Sequence, residues 1–395
     1  MPEIPPIISF EPGPGGVPSS DVAYSPDVPV CPMRLPTTGE EVLVLKSRAP
    51  VVAALASRDF SITAVDQDRF VTTGSAFRSP EDLLRLDPPA TTTFRRPIGA
   101  SFSESAIEKW RPHLEQKARA LATKLESHPS PTDLIASYTE PFLAEAVTST
   151  LGVPQSEWPT MLRLADTTLG SVQNMQDKGG ITLAWEELYT YCDDLIENKR
   201  TNPDGSIFSN VVKGLEKANK SHDEILHACA TILVGFPTPL PVLNVAAAEL
   251  LRRPDTVSAC LENPSLWAPT VKELLRYKAH FATVLPRIAM KDVQIGGIQI
   301  PAGQVVLPSL AAAAHDPEKV ERPAECDPSQ DASRNIVFGA GPHLCPGAAL
   351  TRQWLEVSLG QLFTAHPKLR LAVPAGQLSW QRGGLSAPAT IPVIM

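Results

Sequence analysis

Cys345 is the residue of this sequence best placed to do chemistry. It lies in the stretch Asn335-Ile-Val-Phe338-Gly339-Ala-Gly341-Pro-His343-Leu-Cys345-Pro-Gly347, where an apolar run passes into a glycine-punctuated loop. Gly339 and Gly341 permit backbone angles that other residues avoid. Pro346 suits the first turn of a helix, and Leu350, Trp354, Val357 and Leu362 then recur near the helical period. Cys345 is thus expected just before a helix N-terminus, where loop amides and the positive helix end stabilise a thiolate. A thiolate held this way is either a nucleophile or a metal ligand. A lone cysteine is more commonly a small core residue, and a glycine-rich loop before a helix can cradle phosphate. The spacing here is neither the dinucleotide fingerprint nor the P-loop, which needs Gly-Lys followed by Ser or Thr.

Two further constellations stand out. Ser221-His-Asp-Glu224 has the form of a capping box and predicts the start of a long helix. That helix runs into Val234-Gly235-Phe236-Pro237-Thr238-Pro239-Leu240-Pro241, where alternate prolines remove amide donors. A break or sharp bend is expected there, freeing the carbonyls of Leu233 and Gly235 for water or a ligand. Glu273 and Arg276, at i and i+3 on a predicted helix Trp267 to Tyr277, share a face and can pair.

The pattern Phe-Gly-x-Gly-x-His-x-Cys-x-Gly resembles the haem-thiolate loop of the cytochrome P-450 family. Phe338, Gly339, Gly341, His343, Cys345 and Gly347 match each defining position. The resemblance implies haem b, with Cys345 as the axial ligand of the iron. It implies cofactor contacts from Phe338, Gly339 and His343, and propionate-binding arginines at Arg95 and Arg287. Thr91 stands where the family has a histidine, so that contact is expected to be weakened or absent. Gly235 and Thr238 match the glycine and threonine of the oxygen-activating helix, but Pro237 replaces the usual acid, which in the family helps deliver protons. Val234, Phe236, Phe281, Ala282 and Val284 fall in the implied substrate pocket, with His280 where proline is common. Glu273 and Arg276 match the family's buried pair, which anchors the segment preceding the ligand loop. The usual third partner, an arginine, is replaced by Gln330, with Arg334 as a possible substitute.

Composition sets limits around these motifs. The chain has 395 residues, 43% hydrophobic, with 40 prolines, about twice the average frequency. No linker or repeat divides it after residue 20, and residues 1–20 read as a Pro/Gly-rich arm without a signal-peptide core. No apolar run is seen to approach the ~20 residues of a membrane span. A net charge of −8 argues against general affinity for nucleic acid or acidic membranes. Six cysteines without a CxxC pair indicate neither a zinc site nor a disulfide framework.

Periodicity predicts a strand over Glu41–Lys46 and helices over Pro50–Ser57, Ser103–Glu126, Asp133–Leu151, Glu157–Leu169, Leu183–Lys199 and Val242–Leu251. A loop-rich stretch is expected from Asp59 to Asp87, short strands between Val284 and Leu307, and a terminal β region after Lys368. The expectation is a single mainly α domain over residues 21–395 with a small β part, binding haem between the broken helix and the Cys345 loop. By resemblance it is a cytoplasmic oxidoreductase that hydroxylates a small organic substrate, or closes a ring in it, in specialised metabolism. Dioxygen would be the oxidant, with electrons from a separate ferredoxin and reductase or a flavin-type donor. The alternative is a haem-thiolate peroxygenase, or a non-oxygenating isomerase or cyclase, motivated by Pro237. A haem-binding sensor without turnover is the remaining class.

Overall fold

The computed structural model describes residues 5–9, 20–25, 27–36, 38–66, 69–70, 82–169, 178–278, 285–295, 297–331, 335–381 and 386–395. Phe281, Ala282 and Val284 of the expected pocket lie outside these residues, as do His280 and Arg334. Of the expected arm, the described part is tied down: Ile7 bridges to Arg34, and Ile8 is buried.

Helices dominate. The first half of the chain supplies α1 (Arg48–Ala56), α2 (Ala90–Gly99), α3 (Glu104–Glu108), α4 (Arg111–Leu125), α5 (Glu140–Leu151), α6 (Trp158–Leu169) and α7 (Lys178–Thr201). The second half adds α8 (Ile207–Lys217), α9 (His222–Gly235), α10 (Pro239–Leu250), α11 (Pro254–Glu262), α12 (Trp267–Tyr277), α13 (Leu310–Ala314) and α14 (Ala348–Ala365). The predicted helix Ser103–Glu126 is divided into α3 and α4, because Pro112 at the start of α4 has no amide to continue the ladder. Asp133–Leu151 begins instead with a short strand and a π-type turn over Ile135–Thr139 before α5. The helix expected over Leu183–Lys199 starts earlier, with Gly179 and Gly180 inside the first turn of α7 despite their poor helix propensity.

The strands are β1 (Val30–Arg34), β2 (Glu41–Leu45), β3 (Phe60–Ser61), β4 (Thr132–Asp133), β5 (Arg287–Ala289), β6 (Val293–Ile295), β7 (Ile298–Ile300), β8 (Val305–Pro308), β9 (Arg370–Leu371), β10 (Trp380–Gln381), β11 (Ala387–Pro388) and β12 (Pro392–Ile394). The largest sheet has the order β1-β2-β8-β5-β3, with β2 parallel to β8 and Arg287 opposite Val306. This sheet fixes Arg287, and α1, packed beside it, ends against the cysteine loop.

α14 lies at the centre of the main core, along α4 and under α10 and α12. Trp354, Leu355, Leu359 and Leu362 are almost wholly removed from solvent. Polar ties lock its rotation: Tyr138 Oη donates to the Ser358 carbonyl at 2.7 Å, Gln353 Nε2 to the Ile107 carbonyl at 3.2 Å, and His366 Nε2 meets the Ala122 carbonyl at 2.8 Å. Taken as one element, His222–Leu250 is long and apolar enough to cross a membrane by composition, with a mean hydropathy of 1.5, contrary to the sequence expectation. The polar cap and the prolines disguise that run in the sequence. In the fold, 61% of the apolar window is buried among the other helices, as in a core helix.

Candidate functional site

The cysteine loop is built on two left-handed glycines. Gly339 has φ +79° and Gly341 φ +69°. A Cβ on Gly341 would lie 2.5 Å from the Leu55 carbonyl oxygen and 2.8 Å from Ala56 Cα, so only glycine lets the loop rest on the end of α1. The Gly339 amide donates to the Ile336 carbonyl at 2.7 Å, and the Cys345 amide to the Phe338 carbonyl at 2.9 Å. Asn335 Nδ2 reaches the Lys272 carbonyl at 3.2 Å, tying the start of the loop to α12. A 3-10 turn over Gly341–His343 then delivers Cys345 to the start of α14.

Burial pushes the Cys345 thiol up, against the opposing pull of the Gly347 amide and the guanidiniums of Arg95 and Arg352. A free nucleophile needs the reverse balance. A half-buried cysteine with an amide and two cations acting on its sulfur, and no base acting on it among the described residues, suits a metal ligand, because a coordinated thiol is deprotonated outright. Arg352, which the sequence reading missed, stacks its guanidinium 5.5 Å from the Phe338 ring centroid. Its signal was present: it lies one helical turn past Ala348, on the helix that starts at the cysteine.

Two arginines gather around His343, one of them acting on the sulfur as well. Arg287 on β5 is buried; its guanidinium donates to the Leu285 and Pro286 carbonyls at 2.8 and 3.1 Å. Burial brings its pKa down to about 10 despite the nearby Asp87 carboxylate. Arg95 on α2 is likewise lowered by burial, with the Cys345 sulfur opposing. His343 is brought down to about 4, first by burial and then by Arg287 and Arg95. Its Nε2 is buried with no hydrogen-bond partner among the described residues. Thr91, at the histidine position, is buried and gives its hydroxyl to the Leu86 carbonyl, so it offers no contact to a cofactor. Asp87, also missed, takes the Ser61 hydroxyl and the Ile62 amide, fixing the turn before α2.

This set fits haem. A buried and a half-buried guanidinium and an orphaned imidazole nitrogen match anionic propionates, and the cysteine matches an iron ligand. Room exists at the helix break. Gly235 is exposed between the buried Val234 and Phe236, with no atom within 4 Å of where its Cβ would stand. Phe236, expected in the pocket wall, turns its ring into the core. It lies 6.4 Å from Phe102 and 5.9 Å from Trp354, tying the break to α14.

The break itself differs from expectation. Phe236 and Thr238 keep right-handed helical angles, and three residues bridge α9 to α10. The carbonyls expected to be free are taken: Leu233 accepts the Phe236 amide at 3.2 Å, and Gly235 accepts both the Thr238 amide at 3.3 Å and its hydroxyl at 2.6 Å. Shortening to i→i−3 bonds serves these two oxygens once Pro237 and Pro239 withhold their amides.

Glu273 and Arg276 are both buried and joined by two bonds, Nε to Oε2 at 2.8 Å and Nη2 to Oε1 at 2.7 Å. Arg276 also donates to the carbonyls of Ala314, Pro323 and Glu325. Glu273 Oε1 accepts the Asp327 amide at 3.0 Å, and Gln330 Nε2 stands 3.5 Å from it. Gln330 occupies the third position, and its own bonds run mainly to Arg322.

The cytochrome P-450 family model matches residues 174–366. Nocardicin C N-oxygenase of Nocardia uniformis subsp. tsuyamanensis is 28% identical over 377 residues, 94% of each chain. Vitamin D(3) 25-hydroxylase of Pseudonocardia autotrophica is 31% identical over 312 residues, covering 77% of this chain and 75% of its own. Among solved structures, a cytochrome P-450 with biaryl coupling reactivity superposes with a TM-score of 0.86 at 27% identity, over 97% of this chain and 99% of that one. With the loop, the buried Glu–Arg pair and the whole-chain fold in agreement, this chain belongs to the cytochrome P-450 family.

Proposed function

We propose that the protein is a haem-thiolate monooxygenase that oxidises a small organic molecule in specialised metabolism, by hydroxylation or oxidative ring formation. Its electrons come from a separate ferredoxin and reductase or a flavin-type protein, and it works in the cytoplasm. The observation that carries this reading is the Cys345 sulfur, facing the Gly347 amide and the guanidiniums of Arg95 and Arg352, with Arg95 and Arg287 also acting on His343. When bound there, haem b supplies an iron that activates dioxygen, with the thiolate as its electron-donating ligand. The chain's own part is placement. Cys345 would hold the iron, and Gly339 and Phe338 shape the loop that presents it. Arg95 and Arg287 would neutralise the propionates by charge-assisted bonds, and His343, held neutral, would add a hydrogen bond. Val234, Gly235 and Thr238 form the wall facing the substrate; Phe281, Ala282 and Val284, expected in the same pocket, lie outside the described residues. Glu273 and Arg276 act structurally. Similar proteins named for N-oxygenation, hydroxylation and biaryl coupling support an oxidase of this breadth.

Reduced protein under carbon monoxide should show the thiolate-type haem band, and Cys345→His should lose it while retaining bound haem. An unchanged band in that variant removes Cys345 from the iron. Pro237 favours a second reading, in which peroxide alone drives turnover or the haem serves a non-oxygenating rearrangement. No carboxylate stands at the position from which the family delivers protons.

A further inference from the structure

Alternate prolines do more than bend α9 into α10: they determine which oxygen is left over. The Val234 carbonyl has three amide positions within helical reach. Pro237 and Pro239 have no N–H, and the Thr238 amide is turned to Gly235 at 3.3 Å. Phe236 is in the same position, with Pro239 and Pro241 lacking N–H and the Leu240 amide given to Pro237 at 3.0 Å. These two oxygens, rather than those of Leu233 and Gly235, are the ones no helical amide serves. They differ in where they face. A helical carbonyl lies beside the residue four places on, so the Val234 oxygen lies beside Thr238, on the face where Gly235 is open. The Phe236 oxygen lies beside Leu240, away from it. The Thr238 hydroxyl spends its proton on the Gly235 carbonyl at 2.6 Å, and its lone pairs remain to accept from a donor in the open space beside Gly235. With no N–H at 237, 239 or 241, and those of Thr238 and Leu240 given to Gly235 and Pro237, the described break offers acceptors and no free amide donor.

Resting on the proposed haem-thiolate reading, we infer that the Val234 carbonyl, with the Thr238 hydroxyl oxygen beside it, is a subsite for a hydrogen-bond donor on the substrate. The substrate class is therefore one carrying a hydroxyl, amide N–H or amine close to the position attacked. An apolar hydrocarbon leaves the Val234 oxygen without a partner in a dry site, a loss that a donor-bearing substrate avoids. An ether or ketone at the same place meets only other acceptors and is rejected, as buried polar sites reject analogues lacking the matching group. The subsite also orients: a single fixed acceptor pins the donor, and with it the carbon beside it.

The test uses haem-loaded full-length protein and ligands whose imidazole binds the iron: 4-phenylimidazole and its 2-, 3- and 4-hydroxyphenyl and methoxyphenyl analogues. Affinities are read from the haem-band shift. One hydroxyphenyl isomer should bind about ten-fold tighter than the parent, and its methoxy counterpart no tighter. In Pro237→Ala/Pro239→Ala the new amides serve Leu233 and Gly235, and the Thr238 amide returns to Val234. The hydroxyl advantage should then fall within roughly two-fold, with the parent still bound. Alanine in place of helix prolines favours folding; Pro239→Ala alone repeats the test with one change. Hydroxy and methoxy isomers binding alike, or a hydroxyl advantage that survives the proline replacements, overturns the subsite. Absence of any iron-bound shift together with absence of the thiolate band overturns the haem reading itself, and the subsite with it.

Discussion

Glu273 has no solvent exposure, and its charge is matched by Arg276, which is itself 1% exposed. Two charges out of water survive only with full pairing. Glu273→Ala leaves the guanidinium buried against three carbonyls with no counter-charge, at a cost of about 3–5 kcal/mol. Expression of that variant should give little soluble, haem-loaded protein; a well-folded variant with unchanged thermal midpoint would contradict the buried pairing. Gly341 is a second residue where little latitude exists. Gly341→Ala adds αL strain of roughly 1–2 kcal/mol to a clash with backbone at Leu55 and Ala56 that no side-chain movement relieves. It should lower the thermal midpoint and weaken haem retention, whereas Gly376→Ala, which meets nothing within 4 Å, should be near neutral on both. The Cys345 motif and the Glu273–Arg276 pair were legible because each needs a fixed spacing of residue types. Arg352 and Asp87 were not, because their roles come from contacts across the fold: a guanidinium over the Phe338 ring, and a carboxylate capping a turn beside Arg287.

The element that matters most is the pair α9 and α10. Its start was plain in the sequence, and the capping box forms as written: Ser221 Oγ accepts the Glu224 amide at 3.2 Å, and Glu224 accepts the Ser221 amide at 2.8 Å. The proline break was also plain; the identity of the unserved carbonyls was not. Sequence shows which amides are missing, but the choice between i→i−4 and i→i−3 bonding for the remaining ones is made by the fold. Side-chain direction escaped in the same way, since Phe236 faces Trp354 only once α14 is in place. Gly235 gives this element a separable prediction. Gly235→Leu replaces the poorest ordinary helix former by a good one, worth up to about 0.8 kcal/mol, and projects into space that no described atom occupies. Its thermal midpoint should hold or rise while 4-phenylimidazole binding at the haem weakens. Unaltered ligand affinity would place Gly235 away from the cavity.

Across the whole molecule, the proposed reaction needs electrons from another protein and protons through the wall that α9 and α10 present to the substrate. That wall carries no acid: Pro237 holds its place, and the Thr238 hydroxyl is committed to Gly235. A proton must then travel through water, or through a donor on the substrate held against the Val234 oxygen, with the Thr238 oxygen as the acceptor that orders it. Water can relay protons when its partners lie within hydrogen-bond reach. Thr238→Ala removes that acceptor and leaves the Gly235 carbonyl with the backbone amide alone, without touching Cys345 or the arginines. If Thr238 orders the relay, the variant supplied with a ferredoxin and its reductase should form less product per reduced cofactor consumed and release more peroxide. Product, peroxide and cofactor consumption, measured side by side for both proteins, decide it. Equal coupling in both proteins would leave Thr238 a structural tie of the break. Full turnover with peroxide alone, and none with the redox proteins, would turn the assignment to the peroxygenase reading that Pro237 favours.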